Sequence, residues 1–234
     1  MSKKAEQLVF DLPHREAFGR DDFLVTSSNA AAIELIDQWP NWPSHAAIIL
    51  GPEGSGKSHL VEVWRQRSGA ALTFANQLDT DQVPDLLVTG SAAIEDIYSA
   101  HVSERALFHA LNLARQESKF LLLTSRFAPT EINYEIPDLA SRIRALPIVQ
   151  ILPPNDALLR GVLVKLFADR QVMVDEGLIS YILLRMPRSL GAAKSLVAAI
   201  DQRALIEKSE VTKPFVARIL AEMESPELFA SPPV

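Results

Sequence analysis

An apolar run of strand length, Ala46 to Leu50, leads straight into Gly51-Pro52-Glu53-Gly54-Ser55-Gly56-Lys57-Ser58, and a helix-like stretch from His59 to Arg67 follows. This is the pattern G-x-x-x-x-G-K-[ST] set between a strand and a helix, the context that separates a phosphate-binding loop from a chance glycine-rich turn. The glycines let the backbone curl until several N–H groups point at one anion, and the N-terminus of the next helix adds its partial positive charge. Lys57 is expected to reach the outer phosphates and the Ser58 hydroxyl to hold Mg²⁺. The candidate cradle is therefore Gly51, Pro52, Glu53, Gly54, Ser55, Gly56, Lys57 and Ser58, with His59 following. Its ligand is a nucleoside di- or triphosphate.

The rest of the chain supplies the fold such a loop needs. A helical pattern covers Asn29–Trp39 and is broken by Pro40 and Pro43. After the loop, strands are expected at Ala71–Ala75, Ser91–Ile94, Phe120–Thr124 and Ile148–Leu152. Between them lie a short helix around Asp85–Val88, an amphipathic helix over Glu104–Gln116 and a short one over Asp138–Ile143. Strands alternating with helices predict an α/β fold with a five-stranded parallel sheet covered on both faces. Past Pro153-Pro154 only helical patterns remain, over Asp156–Arg170, Asp175–Met186, Leu190–Ile206 and Lys213–Glu222. The expected organisation is an extended leader over 1–20, the nucleotide-binding domain over 21–153, a small helical lid over 154–224 and a disordered tail over 225–234.

Composition narrows the setting. A net charge of −6 gives no footprint for strong direct DNA binding, so any action on DNA is expected to pass through a partner. The absence of cysteine excludes disulfides and thiolate zinc sites. No apolar run approaches the length of a membrane span, and the polar N-terminus has no signal-peptide core, so the expected location is cytoplasmic.

Four further groups carry candidate chemistry. Glu95 and Asp96 end an apolar strand, where a carboxylate holds the Mg²⁺ shell and a second polarises the attacking water; the plainer alternative is an acidic helix N-terminus. Arg142 precedes the last strand and Arg188 opens a lid helix. Either arginine is a solvated surface group, or one of the two devices that recur in nucleotide chemistry: a lid arginine, or a finger offered to a neighbour's γ-phosphate. Gln7-Leu8-Val9-Phe10-Asp11-Leu12 sets a glutamine before alternate apolar residues, which suits an extended peptide in a partner's pocket or a strand packed on its own core. The five histidines show no paired metal spacing and receive no catalytic role.

Taken together these boxes resemble the AAA+ domain of the DnaA-type replication initiators, and more closely their truncated relatives, the Hda-type regulatory inactivators of DnaA. The resemblance spans about residues 7 to 222. Phe23-Leu24-Val25 followed by Ser28-Asn29 looks like the first box, near the adenine, which implicates Leu24 and Val25. Gly51–Ser58 is similar to the Walker A loop, Ile94-Glu95-Asp96-Ile97 to Walker B, and Leu122-Leu123-Thr124-Ser125 to the sensor 1 strand end. Pro137-Asp138-Leu139-Ala140-Ser141-Arg142 resembles the arginine-finger box, Pro187-Arg188-Ser189-Leu190 the sensor 2 box, and Thr212-Lys213-Pro214-Phe215-Val216 the last helix.

Three departures select the Hda-type member. The sequence stops after the lid, so the DNA-binding domain of the initiators is expected to be absent. About 15 residues separate the second and third strands, too few for the helical insertion that initiators use on single-stranded DNA. The leader Gln7–Leu12 looks like the peptide by which Hda-type proteins bind the DNA sliding clamp, the DNA polymerase III beta subunit. The resemblance implies ADP or ATP with Mg²⁺ as cofactor, with the ADP form active. It implies DnaA as partner, with a second copy of the chain open as another, and Arg142 as a finger acting in trans. The Glu95-Asp96 order, where initiators carry two aspartates, and a sensor 1 without an acid imply weak intrinsic ATPase activity. Two alternatives stay open: a DnaA-binding adaptor without stimulation, and a stand-alone ATPase of helicase-loader type.

Overall fold

A computed structural model describes residues 24–98 and 101–224; the leader peptide Gln7–Leu12, Phe23 and the tail 225–234 lie outside the described residues. Five strands, β1 (Ala46–Leu50), β2 (Ala71–Phe74), β3 (Ser91–Glu95), β4 (Phe120–Ser125) and β5 (Ile148–Gln150), form one sheet in the order β2-β3-β4-β1-β5. Every pairing is parallel, with Ala46 opposite Leu121 and Leu50 opposite Ser125. The strands are apolar at successive positions because both faces are covered. Ile48, Ile94, Leu121 and Leu123 enter one core with α3 (Val83–Leu86), α4 (Glu104–Gln116) and α5 (Pro137–Arg144). Ala47, Ile49, Ala93 and Leu122 enter the other with α1 (Ala30–Gln38) and α2 (Lys57–Ser68). Trp42 stacks on Trp64 with ring centroids 5.4 Å apart and donates its indole N–H to Leu35 O at 2.6 Å, closing the edge of that second core.

Four more helices follow Pro154: α6 (Asp156–Asp169), α7 (Glu176–Leu183), α8 (Leu190–Glu207) and α9 (Lys213–Glu224). They enclose a separate core around Leu163, Phe167, Ile182, Leu196, Val197 and Val216. Side-chain caps set their starts: Asn155, Asp175 and Ser189 accept from the backbone N–H of Leu158, Leu178 and Ala192. No helix among the described residues is long and apolar enough to cross a membrane.

The expected elements are all present, with shifted ends. β2 stops at Phe74 because Ala75 opens a tight 3₁₀ turn, and β5 stops at Gln150. β3 and β4 each run one residue further, to Glu95 and Ser125. The short helix expected at Asp85–Val88 lies at Val83–Leu86, because Pro84 suits a first helical turn. α7 begins after its cap Asp175 and ends before Met186.

Candidate functional site

The strand order brings three chain segments to one edge of the sheet. β4 lies between β1 and β3. Gly51 N–H donates to Ser125 O at 3.1 Å, and Ile97 N–H to Thr124 O at 2.9 Å. The glycine-rich loop after β1, the acids ending β3 and the Thr124-Ser125 end of β4 therefore share the carboxyl ends of the central strands, where α/β sheets bind ligands.

Gly54 and Gly56 have φ of 69° and 103°, left-handed values that let the loop curl back before α2. Lys57 Nζ donates to Gly51 O at 2.7 Å and Pro52 O at 2.8 Å, folding the ammonium over the loop. Burial holds the Lys57 pKa below its ordinary value; the Arg126 guanidinium adds to this, and Asp96, Glu95 and Glu53 oppose it. The Ser55 hydroxyl is buried with no hydrogen-bond partner, an orphan in a loop of backbone donors. These residues fit a phosphate chain. Ser58 Oγ donates to Glu95 Oε2 at 2.5 Å, and Glu95 is buried. Ser58 and Glu95 are the residues that would hold Mg²⁺, with phosphate oxygens and water completing its shell.

Asp96 has different partners from its neighbour. Its N–H donates to Thr124 Oγ1 at 3.0 Å, its φ is 57°, its Oδ1 is buried and unpartnered, and its Oδ2 lies 3.6 Å from an Arg126 guanidinium nitrogen. The same guanidinium reaches Glu53 Oε2 of the loop at 2.7 Å. The sequence reading passed over Arg126. Its signal was position alone, directly after the Thr124-Ser125 strand end.

The lid closes on the loop. Leu190 N–H at the start of α8 donates to Gly54 O at 2.9 Å, and a Cβ on Gly54 would lie 2.7 Å from Ser189 Cβ. Arg188, one residue earlier, pairs with Asp156 of α6 at 2.6 Å, with both side chains largely exposed. Leu24 and Val25 are exposed on the other flank, and Leu24 abuts Gly161 of α6. Asn29 fixes this segment, accepting from Thr26 N–H at 2.8 Å and donating to Leu24 O at 2.9 Å. His59 sits half-buried in the first turn of α2.

Arg142 is not part of this assembly. It lines a cavity of about 310 Å³ with Ser44, His45, Ala46 and Arg115, at the amino end of β1, whereas Gly51 follows the carboxyl end. Five residues of strand, roughly 17 Å at about 3.3 Å each, separate the two. The Arg142 guanidinium rests 5.2 Å from the centroid of the Phe108 ring and has no ion pair among the described residues.

A parallel sheet in this order, with a glycine-rich loop after β1, a polar β4 end and four helices docked on the loop, is a fold shared with solved structures of DnaA. The particular likenesses are as follows. Domain III of the DnaA replication initiation protein from Thermotoga maritima superposes with a TM-score of 0.70 at 15% identity, covering 88% of this chain and 96% of that one. AMPPCP-bound DnaA from Aquifex aeolicus gives 0.66 at 17% identity over 94% of this chain and 71% of that one. The Thermotoga maritima RuvB Holliday junction branch migration motor gives 0.61 at 14% identity over 81% and 71%. In sequence, the chromosomal replication initiator protein DnaA 2 of Chlamydia caviae is 23% identical over 228 residues, 86% of this chain and 48% of that protein. The chain thus spans about half the length of the curated relatives it matches. No family model matches it.

Proposed function

We propose that this chain is a nucleotide-binding regulator of replication initiation that stimulates hydrolysis of ATP bound to DnaA, lending Arg142 in trans. The observation that carries this reading is the separation of Arg142 from its own phosphate loop by the full length of β1. An arginine so placed is out of reach of its own phosphate loop and available to a nucleotide held by another molecule. It is half-buried, lies against Phe108 and has no carboxylate partner among the described residues, so its charge is available to a phosphate. ADP or ATP with Mg²⁺ in the chain's own site would be held by the loop 51–58, Ser58 and Glu95, with the adenine toward Leu24 and Val25. The leader Gln7–Leu12 would tether the molecule to the sliding clamp.

The test is phosphate release from DnaA-ATP in the presence of clamp loaded on DNA. The wild-type chain should accelerate release, and Arg142→Ala should remove about 10³-fold of that acceleration while ADP and clamp binding persist. Stimulation that survives the substitution sinks the finger. Binding to DnaA with no stimulation by the wild type would make the chain an adaptor, and fast turnover by the isolated chain would make it a stand-alone ATPase. In a parallel pull-down, loss of residues 1–12 should abolish clamp capture and leave nucleotide binding unchanged.

A further inference from the structure

We propose that Arg126 is a positioning residue that restrains the chain's own hydrolytic carboxylate, so that the site keeps its nucleotide instead of turning it over. The inference rests on the nucleotide-site reading above and adds a residue that reading does not use. Hydrolysis needs a carboxylate that takes the proton of the water adding to the terminal phosphorus, as the bond to the bridging oxygen breaks and ADP and inorganic phosphate form. Asp96 is the carboxylate available for that step, because Glu95 is engaged by Ser58 at 2.5 Å. Arg126 stands beside the one oxygen of Asp96 that a water could reach. Oδ1 is buried, with no hydrogen-bond partner, and Oδ2 is faced by Arg126 at 3.6 Å.

Arg126 is fixed in that position from two sides. Its other nitrogen is bound to Glu53 Oε2 at 2.7 Å, on the loop itself. The turn that carries it is closed by Ser125, whose Oγ donates to Phe127 O at 2.7 Å and accepts from Phe127 N–H at 3.2 Å. The backbone of Asp96 is equally constrained, held by Thr124 at 3.0 Å with φ at 57°. Arg126 therefore bridges the loop and the acid across the mouth of the site.

The experiment compares wild type, Arg126→Ala, Arg126→Lys and the double variant Arg126→Ala/Asp96→Asn, each by binding of a fluorescent ADP analogue and by phosphate release from ATP. Arg126→Ala should raise basal release about tenfold or more, a fraction of the 10²–10⁴ that a positioned base contributes, with ADP affinity changed less than about threefold. Arg126→Lys should retain part of the restraint, and the double variant should lose the gain. Unchanged or slower release by Arg126→Ala with affinity intact overturns the inference, as does a double variant as fast as the single. Failure of the wild type to bind the ADP analogue overturns the nucleotide-site reading itself, and this inference with it.

Discussion

Two arginines of equal charge sit at opposite ends of one sheet and differ in what surrounds them. Arg126 is satisfied by acids of its own site, whereas Arg142 lies against an aromatic face and a cavity that also holds Arg115 and His45. The box that contains Arg142 was readable as a motif, because its neighbours Pro137 to Ser141 define it. Arg126 was not readable, because a lone arginine after a strand carries meaning only once Glu53, from a distant part of the chain, is folded beside it. Lys57 offers a test with a definite sign. Its ammonium is held below the ordinary lysine pKa of 10.5, mainly by burial, so a charged lysine is less favourable in the fold than in the unfolded chain. Between the lowered folded value and 10.5 the fold itself gains stability as pH rises. Phosphate binding needs the charged form, so nucleotide affinity should move the other way, holding near neutral pH and falling before pH 10.5 is reached. Titration of a fluorescent ADP analogue across that range checks it; affinity that is flat up to 10.5 would show that Lys57 does not bind phosphate as the cationic partner.

At the scale of the element, α5 is held in place by a contact its own sequence does not contain. The Glu104 carboxylate, in the first turn of α4, accepts from the backbone N–H of Glu135 at 2.9 Å and Ile136 at 2.8 Å, just ahead of α5. Two donors that α5 cannot satisfy internally are satisfied by a charged group, and Phe108 of the same α4 supports Arg142. α4 is thus a platform for α5 and for Arg142. Glu104→Ala should cost about 2 kcal/mol, the scale of hydrogen bonds to a charged acceptor, as read from a shifted urea midpoint with an unchanged slope. If the proposed function holds, it should also weaken stimulation of DnaA more than it weakens ADP binding. Equal losses in both would mean that Glu104 supports the whole domain and not α5 in particular. The existence of α4 and α5 was legible from hydrophobic spacing, and their joint role was not, since the Glu104 contact spans 31 and 32 residues.

At the scale of the whole molecule, the question is how a lid of four helices communicates with a loop on the sheet. The junction is narrow: Leu190 N–H on Gly54 O, with Ser189 packed where a Cβ of Gly54 would stand. Gly54→Ala places a side chain at φ 69° and into Ser189, which demands either backbone strain of about 1–2 kcal/mol or withdrawal of the lid. ADP affinity should fall about tenfold or more, while the helical cores stay folded by circular dichroism; unchanged affinity would detach the lid from nucleotide binding. The sequence by itself determined the alternation of strands and helices, the phosphate loop and the switch to a helical lid after Pro154. Those features are written in short-range spacing: apolar periodicity, glycine placement and proline breaks. Only the tertiary structure decided that Glu95 meets Ser58 while Asp96 meets Thr124 and Arg126, and that Arg142 stands a strand's length from its own loop. The first outcome follows from the insertion of β4 between β1 and β3, and the second from the parallel pairing of β5 with β1, which sets the residues before β5 at the amino end of the sheet; both are choices made by packing both faces of the sheet at once. No local pattern along the chain encodes it.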